Sequence, residues 1–324
     1  MATGGNCDFA ILGLGRMGGN LMRQAIEKGY RVAGYTKGPP PESPGPRFEL
    51  LRELSELRDA LKTPRKVFLY VPAGAAVDEL LGALSGVLES GDVILDGGNS
   101  YWGDSIRRAR GLAQRGLHLL DLGTSGGIDG ARNGACFMIG GPRAAVAQVE
   151  PILQTLAIAG GYVHAGGSGA GHFTKLVHNG IEFGMLQAIG EGVDLLEHFP
   201  MQLPVADVLA CWRHGSVIRS WLVDLMEQRY RDDGIERVPA VIEDTGEVNW
   251  LVADALELEV ATPAIALSVT QLVASRDASK NWARAIAMMR RGFGGHPYGE
   301  SRTLQRERRD SRIGGFISPE ENAS

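Results

Sequence analysis

A chain of 324 residues with 33 Lys and Arg, 38 Asp and Glu and a formal net charge of −5 is long enough for two domains with real cores. It is too evenly charged for nucleic acid to be an expected partner. Cys7, Cys136 and Cys211 are scattered without CxxC or CxxH spacing, so neither a disulfide framework nor a zinc site is expected, and a reducing cytoplasm fits. No uncharged apolar run reaches ~18 residues and the first residues lack the basic-then-apolar order of an export signal, so no membrane association is expected.

Residues 8–12 are an apolar run that ends in glycine, which predicts a buried strand. Gly13-Leu14-Gly15-Arg16-Met17-Gly18 follows at once, a helical pattern starts near Arg16, and residues 31–35 read as a second strand. This is GxGxxG in the strand–turn–helix setting that a dinucleotide requires, with the pyrophosphate expected on the helix N-terminus. At the end of the second strand an NAD site usually places a carboxylate for the ribose hydroxyls. Here Thr36 and Lys37 stand at that point. A hydroxyl beside a cation suits a 2′-phosphate, so NADP is favoured with NAD as the alternative. The competing reading of Lys37 is a solvated loop cation. Residues 39–46 are proline-rich and predict an exposed excursion.

Further strands are predicted at 66–71, 92–96, 118–123, 136–140 and 162–164, with helical segments between most of them. The pattern is that of a doubly wound α/β parallel sheet with some antiparallel additions, a Rossmann-like domain over residues 1–167. Ligands collect beyond the carboxyl ends of such strands. Three polar or glycine-rich loops lie there: Val71-Pro72-Ala73-Gly74, Asp96-Gly97-Gly98-Asn99-Ser100 and Gly123-Thr124-Ser125-Gly126-Gly127. Each alone could be a turn; together they predict a shared site.

The pattern changes after residue 167. Residues 172–198 predict one long helix, and helical periods recur at 205–214, 217–230, 249–258, 262–275 and 281–291. Residues 168–300 therefore predict an all-helical domain. Residues 301–324 are polar and charged and predict a loose tail. On the long helix Lys175, His178, Asn179 and Glu182 fall at i, i+3, i+4 and i+7, one face, between apolar neighbours such as Leu176, Val177 and Ile181. Burying an amine, an imidazole, an amide and a carboxylate is costly without partners. The stripe therefore lines a pocket or closes on itself as a polar network.

The strings GLGRMGGNL, DGGNS, TSGGIDGARNGACFMIGG, GSGAGHFTKLVHNGIEFG, EDTGE and FGGH, in this order from Cys7 to Tyr298, closely resemble the short form of decarboxylating 6-phosphogluconate dehydrogenase, within the β-hydroxyacid dehydrogenase superfamily. The resemblance implies a Rossmann-like domain, an all-α dimerisation domain and a homodimer whose sites are shared between subunits. It implies that Lys175 is the general base for the substrate hydroxyl and Glu182 the acid that protonates the product carbon. Asn99, Ser125, Gly126, Gly127, His178 and Asn179 would hold the sugar acid's carboxylate and nearby hydroxyls. Arg290 and His296 match residues that reach a partner's substrate. The cofactor would meet Gly13, Gly15, Arg16, Met17, Gly18, Thr36, Lys37, Val71, Pro72, Ala73 and Asn99.

The chain departs from the family at the end that grips the distal phosphate. Phe183 stands where a tyrosine is expected, Asn249 where a lysine or arginine is, and Leu251 where a threonine is. Gln271-Leu272 stands near an expected arginine, and the next arginine is Arg276. Arg290 is kept. The expected activity is NADP-dependent oxidative decarboxylation of a 3-hydroxy sugar acid, with an acid lacking that phosphate favoured over 6-phosphogluconate itself. A β-hydroxyacid dehydrogenase that releases no carbon dioxide is the alternative enzyme, and a cofactor-binding regulatory protein without turnover is the alternative of another class.

Overall fold

The computed structural model describes residues 7–39 and 45–310. Its strands are β1 Phe9–Leu12, β2 Val32–Tyr35, β3 Phe48–Leu50, β4 Lys66–Leu69, β5 Val93–Asp96, β6 His118–Ser125, β7 Ala135–Gly140 and β8 Ala157–Gly166. They form one eight-stranded sheet in the order β3-β2-β1-β4-β5-β6-β7-β8. All neighbours pair parallel except β6 with β7. The strand order reverses between β1 and β4, the place where open α/β sheets leave a crevice for a ligand. Helices α1 Arg16–Glu27, α2 Leu57–Ala60, α3 Ala75–Leu84, α4 Trp102–Ala113, α5 Gly127–Asn133 and α6 Arg143–Leu156 link the strands. β1, β4 and β5 are buried along nearly their whole length, as strands covered on both faces must be. One core gathers Phe9, Ile11, Phe68, Leu95, Leu122 and Phe137; the other gathers Ala10, Leu12, Val67, Leu69 and Ile94.

The remaining helices are α7 Ala170–Glu197, α8 Val205–Trp212, α9 Trp221–Asp233, α10 Glu247–Glu257, α11 Pro263–Arg276, α12 Asn281–Gly294 and α13 Arg302–Asp310. The chain divides into two compact units, residues 1–180 with 246–257, and residues 181–245 with 258–324. The first thus runs past residue 167 along α7 and takes α10 from the helical half. The second has its own small core, where Val193, Val205 and Leu209 pack with Trp212, Met226 and Tyr230. No helix among the described residues is long and apolar enough to cross a membrane.

Four expectations need correction. β3 was not predicted: its three residues leave too short an apolar run beside the proline-rich stretch, of which residues 40–44 lie outside the described residues. β8 is ten residues long, not three, because pairing with β7 carries its flanking glycines and alanines into the ladder. α9 starts at Trp221 because the Ser220 hydroxyl accepts the Val223 N–H at 3.3 Å and caps it, so 217–220 is not helical. The expected loose tail begins as α13, with Ser301 accepting the Leu304 N–H at 3.4 Å. Residues 311–324 lie outside the described residues.

Candidate active site

Three glycines of the first loop do three different things. Gly13 has φ +99°, and a Cβ there would sit 2.2 Å from the Tyr70 carbonyl oxygen, so the turn can be tight only without a side chain. A Cβ on Gly18 would sit 2.0 Å from the Gly13 oxygen, so α1 could not pack on the loop. A Cβ on Gly15 would meet nothing within 4 Å. Gly15 caps α1 without any side-chain hydrogen bond, and the first turn, which starts with Arg16 and Met17, has no acidic residue. The first N–H groups of α1 thus keep a clear approach and a favourable field for an anion. The residues present fit a dinucleotide pyrophosphate. At the end of β2, Thr36 Oγ1 accepts the Gly38 N–H at 3.2 Å, and Lys37 is largely exposed, 3.8 Å from Glu79.

The next loops along the same edge are held by buried charges. The Asp96 carboxylate, at the end of β5, accepts the Gly98 N–H at 3.1 Å and the Ser100 hydroxyl at 2.7 Å, which shapes the turn that presents Asn99. Arg108 of α4 lies 3.7 Å from Asp96, donates to Asp78 at 2.8 Å and donates to the Gly74 carbonyl at 3.0 Å. It therefore ties the loop after β4, with Val71, Pro72 and Ala73, to the loop after β5. The Arg108 guanidinium holds the Asp78 carboxyl below its usual range. Tyr70 lies under the same loops with its hydroxyl 3.1 Å from Thr124, and burial pushes its phenol far above its ordinary range.

The Asp121 carboxylate of β6 accepts the Gly169 N–H at 2.8 Å and the His172 N–H at 2.9 Å. These are orphan donors at the start of α7, so a strand residue does the work of a helix cap. Gly171 lets the helix come that close: a Cβ there would sit 2.3 Å from the Asp121 carbonyl oxygen. His172 then bridges onward, with Nδ1 2.7 Å from Ser105 Oγ and Nε2 donating to the Asp96 carbonyl at 3.0 Å.

With α7 fixed, the polar stripe meets the loops. A Cβ on Gly123 would fall 2.5 Å from Lys175 Cβ, so that glycine makes room for the lysine stem. Lys175 Nζ is 3.3 Å from His178 Nδ1, and His178 Nε2 is 3.0 Å from Ser125 Oγ. Gly126 and Gly127, at the start of α5, both adopt positive φ. Asn179 Nδ2 lies 3.4 Å from Asn99 Oδ1 and 3.5 Å from Glu247 Oε1. Asn99, Ser125, Lys175, His178 and Asn179 thus form one connected polar group at the sheet edge.

Glu182 lies seven residues beyond Lys175 on the same helix, in the stretch of α7 that belongs to the second unit. Arg290 on α12 and His296 just beyond it also belong to the second unit. Four structurally decisive residues had no role in the sequence reading: Arg108, Asp121, His172 and Glu247. For Asp121 the signal was a carboxylate in the apolar string His118-Leu119-Leu120-Asp121-Leu122. For Glu247 it was the end of EDTGE. Arg108 sits among three other arginines and offered none.

Two family models match the chain. The NAD binding domain of 6-phosphogluconate dehydrogenase covers residues 8–166, and the 6-phosphogluconate dehydrogenase C-terminal domain covers residues 171–306. The chain is 40% identical over 291 residues to Bacillus subtilis YqeC, whose name assigns it to 6-phosphogluconate dehydrogenase only provisionally; the match covers 89% of this chain and 98% of that one. It is 36% identical over 301 residues to the NAD(+)-dependent, decarboxylating 6-phosphogluconate dehydrogenase of Haloferax volcanii, covering 89% and 97%. The structure of Plasmodium falciparum 6-phosphogluconate dehydrogenase, solved with NADP+ and with 6-phosphogluconate, superposes with a TM-score of 0.76 at 26% identity, over 91% of this chain and 67% of that one. With the Rossmann-like sheet, the glycine loop and the helical second half all in place, the chain belongs to the 6-phosphogluconate dehydrogenase family of NAD(P)-dependent oxidoreductases.

Proposed function

We propose that the protein oxidises and decarboxylates a 3-hydroxy sugar acid with NADP, and that this acid lacks the distal phosphate. The observation that carries the reading is the polar group Asn99–Ser125–Lys175–His178–Asn179 at the sheet edge that also bears the glycine loop. Bound NADP supplies the hydride acceptor. Lys175, as a neutral amine, takes the hydroxyl proton as hydride leaves the carbon β to the carboxylate. Its ammonium form then donates to the new ketone oxygen. The bond to the carboxylate breaks with its electron pair passing into an enol, and carbon dioxide departs. Glu182, in its protonated form, gives a proton to the enol carbon as the enol hydroxyl returns its proton to Lys175, which leaves the ketone product. Ser125, Gly126, Gly127, His178, Asn179 and Asn99 hold the carboxylate and hydroxyls throughout. Turnover should therefore release one carbon dioxide per NADPH formed, across a panel of gluconate, uronic acids and 6-phosphogluconate. NADPH formation without carbon dioxide would favour the non-decarboxylating alternative.

Thr36 and Lys37 support NADP, since β2 ends in a hydroxyl and a cation instead of a carboxylate, although Lys37 must then turn from Glu79, 3.8 Å away, toward a 2′-phosphate. NADP should bind roughly tenfold more tightly than NAD, the low end of what one charge-assisted contact contributes. Lys37→Ala should narrow the gap and Thr36→Asp reverse it, read by direct titration. A clear NAD preference in the unmodified protein, as in the Haloferax relative's name, would overturn this.

A homodimer with Arg290 and His296 given to the partner's site completes the reading, in the cytoplasm. On α12, Trp282, Ile286, Met289 and Phe293 fall at i, i+4, i+7 and i+11, and all four are exposed. Such an apolar stripe on a soluble chain calls for a partner surface.

A further inference from the structure

The loop after β4 and the loop after β5 are joined at two places. At the first, backbone meets backbone. A Cβ added to Gly98 would sit 2.9 Å from the Val71 carbonyl oxygen, and one added to Gly97 would sit 2.6 Å from the Tyr70 ring, so the loops lie this close only because neither residue has a side chain. The second place is Arg108, whose side chain is 2% exposed. Its Nε and Nη2 donate to the Asp78 carboxylate at 2.8 and 3.2 Å, and Nη2 also donates to the Gly74 carbonyl at 3.0 Å. The grip on the other loop is looser: Nη1 lies 3.7 Å from Asp96 and makes no hydrogen bond among the described residues. Asp96, itself buried, shapes the turn that presents Asn99 by accepting from Gly98 and Ser100. One buried guanidinium is thus fixed hard to the loop that leads into α3 and loosely to the loop that leads into α4.

We propose that Arg108 is a positioning residue that makes the two loops move as one, so that cofactor seated on the loop after β4 tightens the hold of the Asn99 loop on the sugar acid, and the acid tightens the cofactor in return. The inference deepens the function proposed above and rests on that reading. Arg108 acts through Gly74 and Asp96 rather than by touching either ligand. A cofactor that steadies residues 71–74 steadies the guanidinium through the Gly74 carbonyl and through Asp78, in the first turn of α3. Asp96 then has a fixed donor to close upon, and bringing the 3.7 Å contact to hydrogen-bond distance needs only a small shift of its loop. A charge-assisted hydrogen bond gained away from water favours that closed arrangement. The first ligand therefore bears the cost of ordering both loops and the second does not, which is positive coupling between two sites. Arg107 marks the contrast. It shares Asp78 at 3.3 Å, but it is 60% exposed and its other ion pair among the described residues is with Asp104.

The test first finds which of D-gluconate, D-glucuronate and 6-phosphogluconate the unmodified enzyme turns over with NADP. NADPH, which forms no productive pair with the acid, is then titrated by its fluorescence with and without that acid at saturation. The ratio of the two dissociation constants is the coupling. In the unmodified enzyme the acid should tighten NADPH about tenfold, within the range usual for coupled sites. Arg108→Lys keeps the charge, but one ammonium cannot span Asp78, the Gly74 carbonyl and Asp96 at once. It should bring the ratio to about twofold or less, with NADPH alone bound nearly as before. Arg107→Gln should leave the ratio unchanged. Asp78→Ala removes the seat of the guanidinium at a half-exposed position and should give an intermediate ratio. It decides the matter if the lysine variant does not fold. No coupling in the unmodified enzyme overturns the proposal. So does a ratio that the deciding variant leaves intact, whether or not the separate affinities fall, because Arg108 would then only maintain the fold. An equal drop with Arg107→Gln overturns it too, since charge near Asp78 rather than the tie would be responsible. If no acid of the three is turned over, the function proposed above fails and this inference falls with it, a result distinct from a measured coupling that Arg108 does not carry.

Discussion

Lys175→Met is expected to reduce hydride transfer by ~10²–10⁴-fold, the usual worth of a positioned general base, while NADP binding stays nearly unchanged. Methionine is close to lysine in length and apolar along its stem, so the contact that Gly123 makes room for survives the substitution. What is lost is the amine 3.3 Å from His178 Nδ1. The glycine loop between β1 and α1, where the dinucleotide is proposed to bind, contains none of the altered atoms. The hydroxyl proton then has no acceptor at the moment hydride departs. Single-turnover reduction of NADP, followed by absorbance, separates this step from product release. A near-normal rate would take Lys175 out of the role and leave water or His178 as base. A loss of NADP affinity equal to the loss of rate would assign Lys175 to binding instead.

Most of the strands and most of the helices were legible because period and punctuation agreed. The run at residues 9–12 between Asp8 and Gly13 is a strand by composition, and it is buried at every position. The contact of 175, 178 and 179 with the loops was legible for the same reason: polar side chains on one face of a largely apolar helical stretch stand out at spacing 3.6. What could not be read was long-range pairing. Asp121 and the start of α7 are about fifty residues apart, and nothing local says that a strand carboxylate will cap that helix. β3 exists because β2 offers it a ladder, not because three residues favour extension. α10 reads as one more helix of the second half. Its place beside Asn179 depends on Asp254 finding Tyr101 and Trp102, more than 150 positions earlier. α13 and the late start of α9 were in principle readable, since Ser301 and Ser220 are ordinary cap residues; charge content masked the first and a run of apolar residues the second.

Compared with an unphosphorylated 3-hydroxy acid, 6-phosphogluconate should be a poor substrate, with kcat/KM lower by roughly a hundredfold or more. The family's distal grip is a phenol, a cation, a hydroxyl and a second cation. In this chain those positions are Phe183, Asn249, Leu251 and Gln271-Leu272. Leu251 is 5% exposed and Leu272 9%, so both have become packing residues and neither can be turned outward at small cost. Arg276, the next cation in sequence, donates to Asp244 at 2.8 Å and lies 3.7 Å from Glu243, so recruiting it would break an existing ion pair. Arg290 remains, one cation against a dianion. Charge-assisted hydrogen bonds contribute about 1.5–3 kcal/mol each, and ~1.4 kcal/mol is a factor of ten, so the loss of two already gives the hundredfold. Ser125, His178 and Asn179, proposed to hold the carboxylate end, are all present and in contact with their neighbours, so the reaction type should survive while the substrate changes. The measurement is kcat/KM for each acid with NADP under identical salt, since screening weakens phosphate contacts selectively. A value of ~10⁵ M⁻¹s⁻¹ or above for 6-phosphogluconate would mean that Arg290 and its neighbours rebuild the grip, and the ordinary phosphorylated acid would then be the substrate.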